Sequence, residues 1–349
     1  MIQPLADIPI GPAIAALPKA DLHVHAEAKP RLDRVVARRE RRPLPDMRET
    51  VRALLDVPPG MPRLIKMAVP PRPETEALDA VPENFIARVA DLLEEGAADG
   101  AILVEIRFGG TTILRPDFMP LFREAERRVR ERYPRLCAEA IIVFVQAWTP
   151  EQLGRCLETC IRGASEGLAG ADFISAPYDS EADWAPTYRL AERAAAAGLG
   201  ITVHAGEFST ANLAAALCVP GVTRLGHAVY AARDPRLLDA MARRGVTVEC
   251  SLTCNVLLGA TPSYEEHPIR QFMAYGIPVT LNTDDPVRVG TTIGREYAIA
   301  AALGFAPAEL LSFTRNAVQA SFTAAARRSI LLAELTAPLA ARECAKTQL

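Results

Sequence analysis

The chain has 349 residues, of which 50% are hydrophobic and 23% charged, with 39 Lys and Arg against 42 Asp and Glu for a formal net charge of -3. That describes an ordinary soluble globular protein with ample length for a large core, and it supplies no electrostatic footprint for nucleic acid. Seven cysteines without a C-x-x-C pair fit reduced thiols, and the N-terminal MIQPLADIPIGPAIAALPKADLH has no basic leader and is broken by prolines, so a cytoplasmic location without a membrane partner is expected.

Short apolar runs alternate with helical stretches from end to end. Eight runs read as strands: KADLHVHA near residue 20, then 101–108, 137–145, 171–177, 200–206, 222–229, 245–251 and 276–284. Most are continuous rather than alternating, the pattern of strands covered on both faces. Between them ENFIARVADLLEEGAADG, FMPLFREAERRVRERY, PEQLGRCLETCIRGASEG, TYRLAERAAAAG, PRLLDAMARRG and HPIRQFMAYG read as helices, several closed by a glycine. Eight such units make a single α/β domain, a (β/α)8 barrel of the TIM type spanning 1–349. A doubly wound open sheet is the runner-up, but no glycine-rich phosphate turn follows the first strand.

Residues 38–82 interrupt the rhythm, where Arg38, Arg39, Arg41, Arg42 and Arg48 come with nine prolines and little periodicity. Loops after barrel strands surround the mouth, so this insert is expected to be a lid or pocket wall; the competing reading is a solvated basic loop.

Four of the five histidines fall where a predicted strand gives way to a loop. His23 and His25, two apart in DLHVH, project from one face of a strand, the geometry of two metal ligands. In a barrel the strand ends converge, so His204 and Asp284 can join them, and three imidazoles with one carboxylate suit zinc or a neighbouring transition ion such as iron, manganese or cobalt. His267, before a proline at a helix start, reads as structural. Glu207, three residues past His204, can meet a substrate without occupying the metal, and a carboxyl in a closed pocket can hold a proton, so it is expected to be a general acid. His227 ends the next strand, and the neighbouring acids Asp284 and Asp285 must point apart, one toward a metal and the other toward water. Taken singly, these residues also have bland readings: a satisfied core histidine, a helix cap at Glu207, a turn at Asp284–Asp285.

PKADLHVHAEAK, VEIRFGG, HAGE, RLGHAV, CSLTCNVLLG, HPIRQFMAYGIPVTLNTDDP and FTRNAVQASF resemble, in order and spacing over nearly the whole chain, the motifs of the adenosine deaminase family of metal-dependent amidohydrolases. The resemblance implies one zinc per chain on His23, His25, His204 and Asp284, with His227 and Asp285 aligning and activating the water that attacks an amino-bearing purine carbon. It implies that Glu207 protonates the adjacent ring nitrogen before ammonia leaves. The chain departs from the family's pattern at substrate contacts: Ala26-Glu27-Ala28 where Leu-Asp-Gly is usual, FISAPYDSEADW where a glycine meets the purine, and Ala228 after the GH pair. Substrate contacts are expected from Glu27, Tyr178 and Asp179, and the expected partner is a small molecule: adenosine or a related amino-purine or amino-heterocycle. The alternatives are hydrolysis of an amide, cyclic imide or ester by the same activated water, or a binding relative without turnover. Glu105 and Arg107, sharing a face of the second strand, are expected to form a buried ion pair or link to neighbouring strands.

Overall fold

A computed structural model describes residues 8–68, 72–174 and 180–336. All eight predicted strands form: β1 (Lys19–His25), β2 (Ala101–Gly109), β3 (Cys137–Val145), β4 (Gly170–Ile174), β5 (Gly200–Ala205), β6 (Val222–His227), β7 (Thr247–Cys250) and β8 (Val279–Leu281). The predicted continuation of the fourth strand through 175–177 lies outside the described residues. The strands pair in parallel and in chain order. The sheet's two edges meet where the His25 amide donates to the Asp284 carbonyl and the Asp284 amide to the His23 carbonyl, each at 2.7 Å. The result is a (β/α)8 barrel, as the alternation of runs implies.

Each strand feeds two environments. The outward residues of β2, Val104, Ile106 and Phe108, pack with Phe85 of the helix Pro82–Ala98 and Phe118 of the helix Phe118–Arg130, and the Phe108 and Phe118 rings meet edge to face at 5.0 Å. The inward residues are polar. Arg107 donates to Asp172 of β4 at 2.6 Å and to Glu249 of β7 at 2.5 Å, while Arg224 of β6 donates to Glu105 at 2.6 Å and lies 2.7 Å from Glu249. Strands that are not neighbours can touch only through the barrel's interior. Glu105 and Arg107 therefore form no pair with each other; each reaches across to other strands.

The segment 38–82 is helical where its sequence shows little period. Helices run over Ala28–Arg39, Met47–Leu55, Met61–Met67 and Pro73–Ala80. Several of its prolines occupy the first turn of a helix, where the missing N–H costs nothing, so they start these helices rather than break them. Asp46 caps the second, accepting the Arg48 amide at 2.8 Å. The CSLTCNVLLG motif forms the helix Leu252–Leu258, whose seven residues are all buried and which ends on Gly259 at φ 80°. Among the described residues no helix is long and apolar enough to cross a membrane.

Candidate active site at the barrel mouth

A cavity of about 1380 Å³ opens at the carboxyl ends of the strands. Its floor holds His25, His204, Glu207, His227, Asp284 and Asp285, and its wall includes Thr50, Leu54, Leu64 and Met67 from the helices after β1. His23 lies just beneath, fully buried.

The four residues expected to hold a metal converge. Nε2 of His25 lies 3.3 Å from Nε2 of His204 and 3.3 Å from Oδ1 of Asp284, and that oxygen is 3.4 Å from Nε2 of His23. Ligands held about 2.0–2.1 Å from a tetrahedral zinc stand about 3.3 Å apart, so these separations fit one ion. His227 borders the same cluster: its ligand atom shares a sphere of 4.8 Å with those of His23, His204 and Asp284. Its Nε2, however, stands 3.8 Å from Asp284 and 3.9 Å from Glu207, and it approaches the other oxygen of Asp284. His25 approaches His204 and Asp284 more closely than His227 approaches Asp284. Even so, the set whose ligand atoms all lie within 4.8 Å of one another takes His227 with His23, His204 and Asp284, and groups His25 with Asp284 and Asp285. Nε2 of His23 is buried without a hydrogen-bond partner, the state of a donor atom kept for a cation. Burial and the Arg107 guanidinium act to lower the His23 pKa, yet Asp284 and Glu249 outweigh both and bring it to about 9, so positive charge is stabilised at this point.

The rings are held from behind. Nδ1 of His23 donates to Glu249 at 2.9 Å and Nδ1 of His204 to Asp172 at 3.0 Å, which turns both Nε2 atoms toward the centre. Arg107 joins these two carboxylates; burial opposes their ionisation, but Arg107 and Arg224 hold Glu249 at a pKa of about 2. Local backbone geometry also serves the cluster. His227 and Asp284 adopt φ of 65° and 63°, left-handed values uncommon for residues with a Cβ and of a kind that concentrates at functional sites. Gly226 is required for packing, since a Cβ there would stand 2.8 Å from Cε1 of His23.

The remaining predicted residues lie around this centre. Glu207 is buried, with Oε1 lacking any hydrogen-bond partner. Burial, with the charges of Asp284 and Asp285, pushes its pKa well above the carboxylate range. It does not cap the helix Leu213–Leu217, whose N-cap position is Asn212. Asp285 accepts from Arg288 at 3.4 Å while one of its oxygens stays within 4.8 Å of ligand atoms of His25 and Asp284, and burial raises its pKa to about 8. Glu27 lines the cavity, but its carboxylate is engaged: it accepts the Val287 and Arg288 amides at 3.1 and 2.9 Å, at the start of the helix Pro286–Val289. It thus ties the end of β1 to the segment that carries Asp284. Tyr178 and Asp179 lie outside the described residues. Ala228, where the family often has glycine, holds a left-handed φ of 51°.

Four contributors were not singled out as site residues from the sequence. Asp172 and Glu249 orient the ring ligands, Cys254 places its thiol within 4.8 Å of Glu207 and Asp284, and Asn255 meets His227 at 3.0 Å. An acid inside an otherwise apolar strand run, as in ADFI and VTVEC, is the signal that could have marked the first two. The two residues from the helix Leu252–Leu258 carry no such mark.

A parallel (β/α)8 barrel whose mouth gathers four histidines, two aspartates and a buried glutamate defines the metal-dependent amidohydrolase type of site. The chain belongs to the adenosine deaminase family, whose model matches residues 18–338. It is 34% identical over 215 residues to an adenine deaminase of Rhizobium leguminosarum bv. trifolii, a match covering 61% of this chain and 66% of that one. To an adenosine deaminase of Shewanella loihica it is 40% identical over 139 residues, 39% of this chain and 42% of the other. The chain thus matches just under two thirds of the length of the first relative and less of the second. The solved structure of an adenine deaminase from Arthrobacter aurescens shares the fold with a TM-score of 0.72 and 24% identity, over 92% of this chain and 98% of that one.

Proposed function

We propose that this protein is a zinc-dependent hydrolytic deaminase that releases ammonia from adenosine, adenine or a related amino-purine. The observation that carries the reading is Glu207: a buried carboxyl with a free oxygen, its pKa raised by burial, beside a cluster of histidines and Asp284 spaced for one cation. His23, His25, His204 and Asp284 would hold the ion, which supplies a water nucleophile activated near neutral pH. Glu207 keeps a proton at its carboxyl and delivers it to the ring nitrogen beside the amino-bearing carbon, which makes that carbon electrophilic. His227 and Asp285 flank the point of attack, and their hydrogen bonds orient the incoming oxygen. The family and the relatives named deaminases support this reaction over the amide, imide or ester alternative.

The cavity has room for a purine carrying a sugar, and the helices of the 38–82 segment act as its wall and lid. Glu27, Tyr178 and Asp179 would contact the substrate; because the Glu27 oxygens already accept two amides, its contact is expected at the edge of the cavity. Ammonia release measured over adenine, adenosine, their methylated and 5'-substituted forms, and pterin and pyrimidine amines tests the proposal. Ammonia from at least one amino-purine is the expected result. Cleavage of amides or esters with no ammonia from any amine would overturn it.

A further inference from the structure

His227 touches a chain of buried groups that the deamination reading leaves without a role, and the chain has only one consistent arrangement of protons. It begins at the backbone amide of Ile269, which can only donate, and which points at Nδ1 of His267 from 3.2 Å. That nitrogen must therefore accept, so His267 is neutral and carries its proton on Nε2. Burial acts in the same direction, pulling the His267 pKa down to about 3.

Nε2 of His267 lies 3.2 Å from Oδ1 of Asn255. Since this nitrogen is the donor, the Asn255 oxygen must face it, and that fixes the orientation of the side-chain amide. The Asn255 nitrogen then stands 3.0 Å from Nδ1 of His227. An amide nitrogen offers only protons, so Nδ1 of His227 accepts, the ring cannot be doubly protonated while this contact holds, and its one proton sits on Nε2. All three side chains are buried, with Asn255 fully so, and water does not compete for these bonds.

We infer that Asn255 and His267 are positioning residues that lock His227 in its Nε2–H tautomer, so that it presents a hydrogen-bond donor, and not a base, to the space between Glu207 and Asp284. Nε2 of His227 faces Oε2 of Glu207 at 3.9 Å and Oδ2 of Asp284 at 3.8 Å, a gap into which an attacking oxygen could accept that proton in a hydrogen bond. Resting on the deaminase reading, this assigns His227 to orientation of the nucleophile and removes it from the list of first proton acceptors. The helix Leu252–Leu258 thereby acquires a function, because it is the element that carries Asn255 from behind β7 into contact with the end of β6.

The test is the nitrogen NMR spectrum of the zinc-loaded protein labelled at histidine, tractable because the chain has five histidines. The His227 signals are identified by their loss in His227→Ala. In the wild type, Nδ1 of His227 should show the shift of an unprotonated nitrogen and Nε2 that of a protonated one. Asn255→Asp replaces the donor with an acceptor and should reverse the two signals, because a carboxylate can only accept a hydrogen bond and so favours the proton on Nδ1. In that variant kcat should fall on the order of 10²-fold or more while KM changes by less than about threefold, as when a catalytic histidine is held in the wrong tautomer. A protonated Nδ1 in the wild type, or signals unchanged in Asn255→Asp, would overturn the inference. If the signals behave as expected and no amino-purine is deaminated, the tautomer lock stands and the deaminase reading falls.

Discussion

Asp172 of β4 and His204 of β5 are joined across neighbouring strands, Nδ1 of the ring donating to Oδ1 of the carboxylate at 3.0 Å. The bond fixes the ring's tautomer and turns its Nε2 lone pair toward His25 and Asp284. If the cluster holds zinc, Asp172→Ala should leave the barrel folded and weaken metal binding by about 10- to 100-fold, the usual cost of losing such a partner. Competition with a chromophoric chelator measures this; an unchanged affinity would show that the ring needs no support.

Behind both ring ligands sits Arg107, fully buried and paired with Asp172 and Glu249. Arg107→Met removes the guanidinium that bridges two buried carboxylates, and breaking a buried pair from one side costs about 3–5 kcal/mol. Urea unfolding of the metal-free protein should show a destabilisation of that order, so the loss is separable from any effect on metal. A change within about 0.5 kcal/mol, typical of a surface site, would mean the charges are solvated after all.

Glu207→Gln keeps the shape of the side chain but cannot transfer a proton. It should bind metal as the wild type does and lose on the order of 10²- to 10⁴-fold in turnover. The wild-type carboxyl works in its protonated form and has a pKa pushed well above its ordinary value. Activity should therefore decline as pH rises through that raised pKa, a limb absent from the residual activity of the variant. Metal content and the pH dependence of kcat/KM check the two claims separately.

His267 makes a prediction about stability instead of turnover. Its pKa is lowered by burial from 6.5 to about 3. The unfolded chain takes up a proton below pH 6.5 that the folded protein refuses until about pH 3, so the contribution is complete above pH 6.5 and is lost as pH falls, by up to about 1.4 kcal/mol per unit. In His267→Gln the dependence of the urea midpoint on pH between these values should flatten by about one proton. Parallel curves for wild type and variant would refute the assignment.

Much of this architecture was legible in the amino-acid order. The runs at 101–108, 137–145 and 200–206 could be read as buried parallel strands because a strand covered on both faces must be apolar nearly throughout. His23 and His25 could be read as partners because a strand's period places i and i+2 on one face. The three helices within 38–82 were missed for a physical reason: prolines read as breakers also occupy the first turns of helices, and periodicity is faint in segments of seven to nine residues such as 47–55 and 73–80. Glu27 was legible as a residue near the pocket but not as the acceptor of two amides from Val287 and Arg288, because a contact across 260 positions leaves no local pattern.

From the sequence alone came the order of strands and helices, the residue types available for a metal and an acid, and the strand ends on which they sit, since these depend on local period and on chemistry each side chain carries with it. Only the tertiary structure decided which of them share a point in space and in what protonation state. Closure of β8 onto β1 puts Asp284 beside His23 and His25, and the paths from Arg107 through Asp172 and Glu249, and from Ile269 through His267 and Asn255, set the ring tautomers. Those are long-range relations among buried dipoles, and they exist only once the barrel has excluded the water that would otherwise satisfy each group separately.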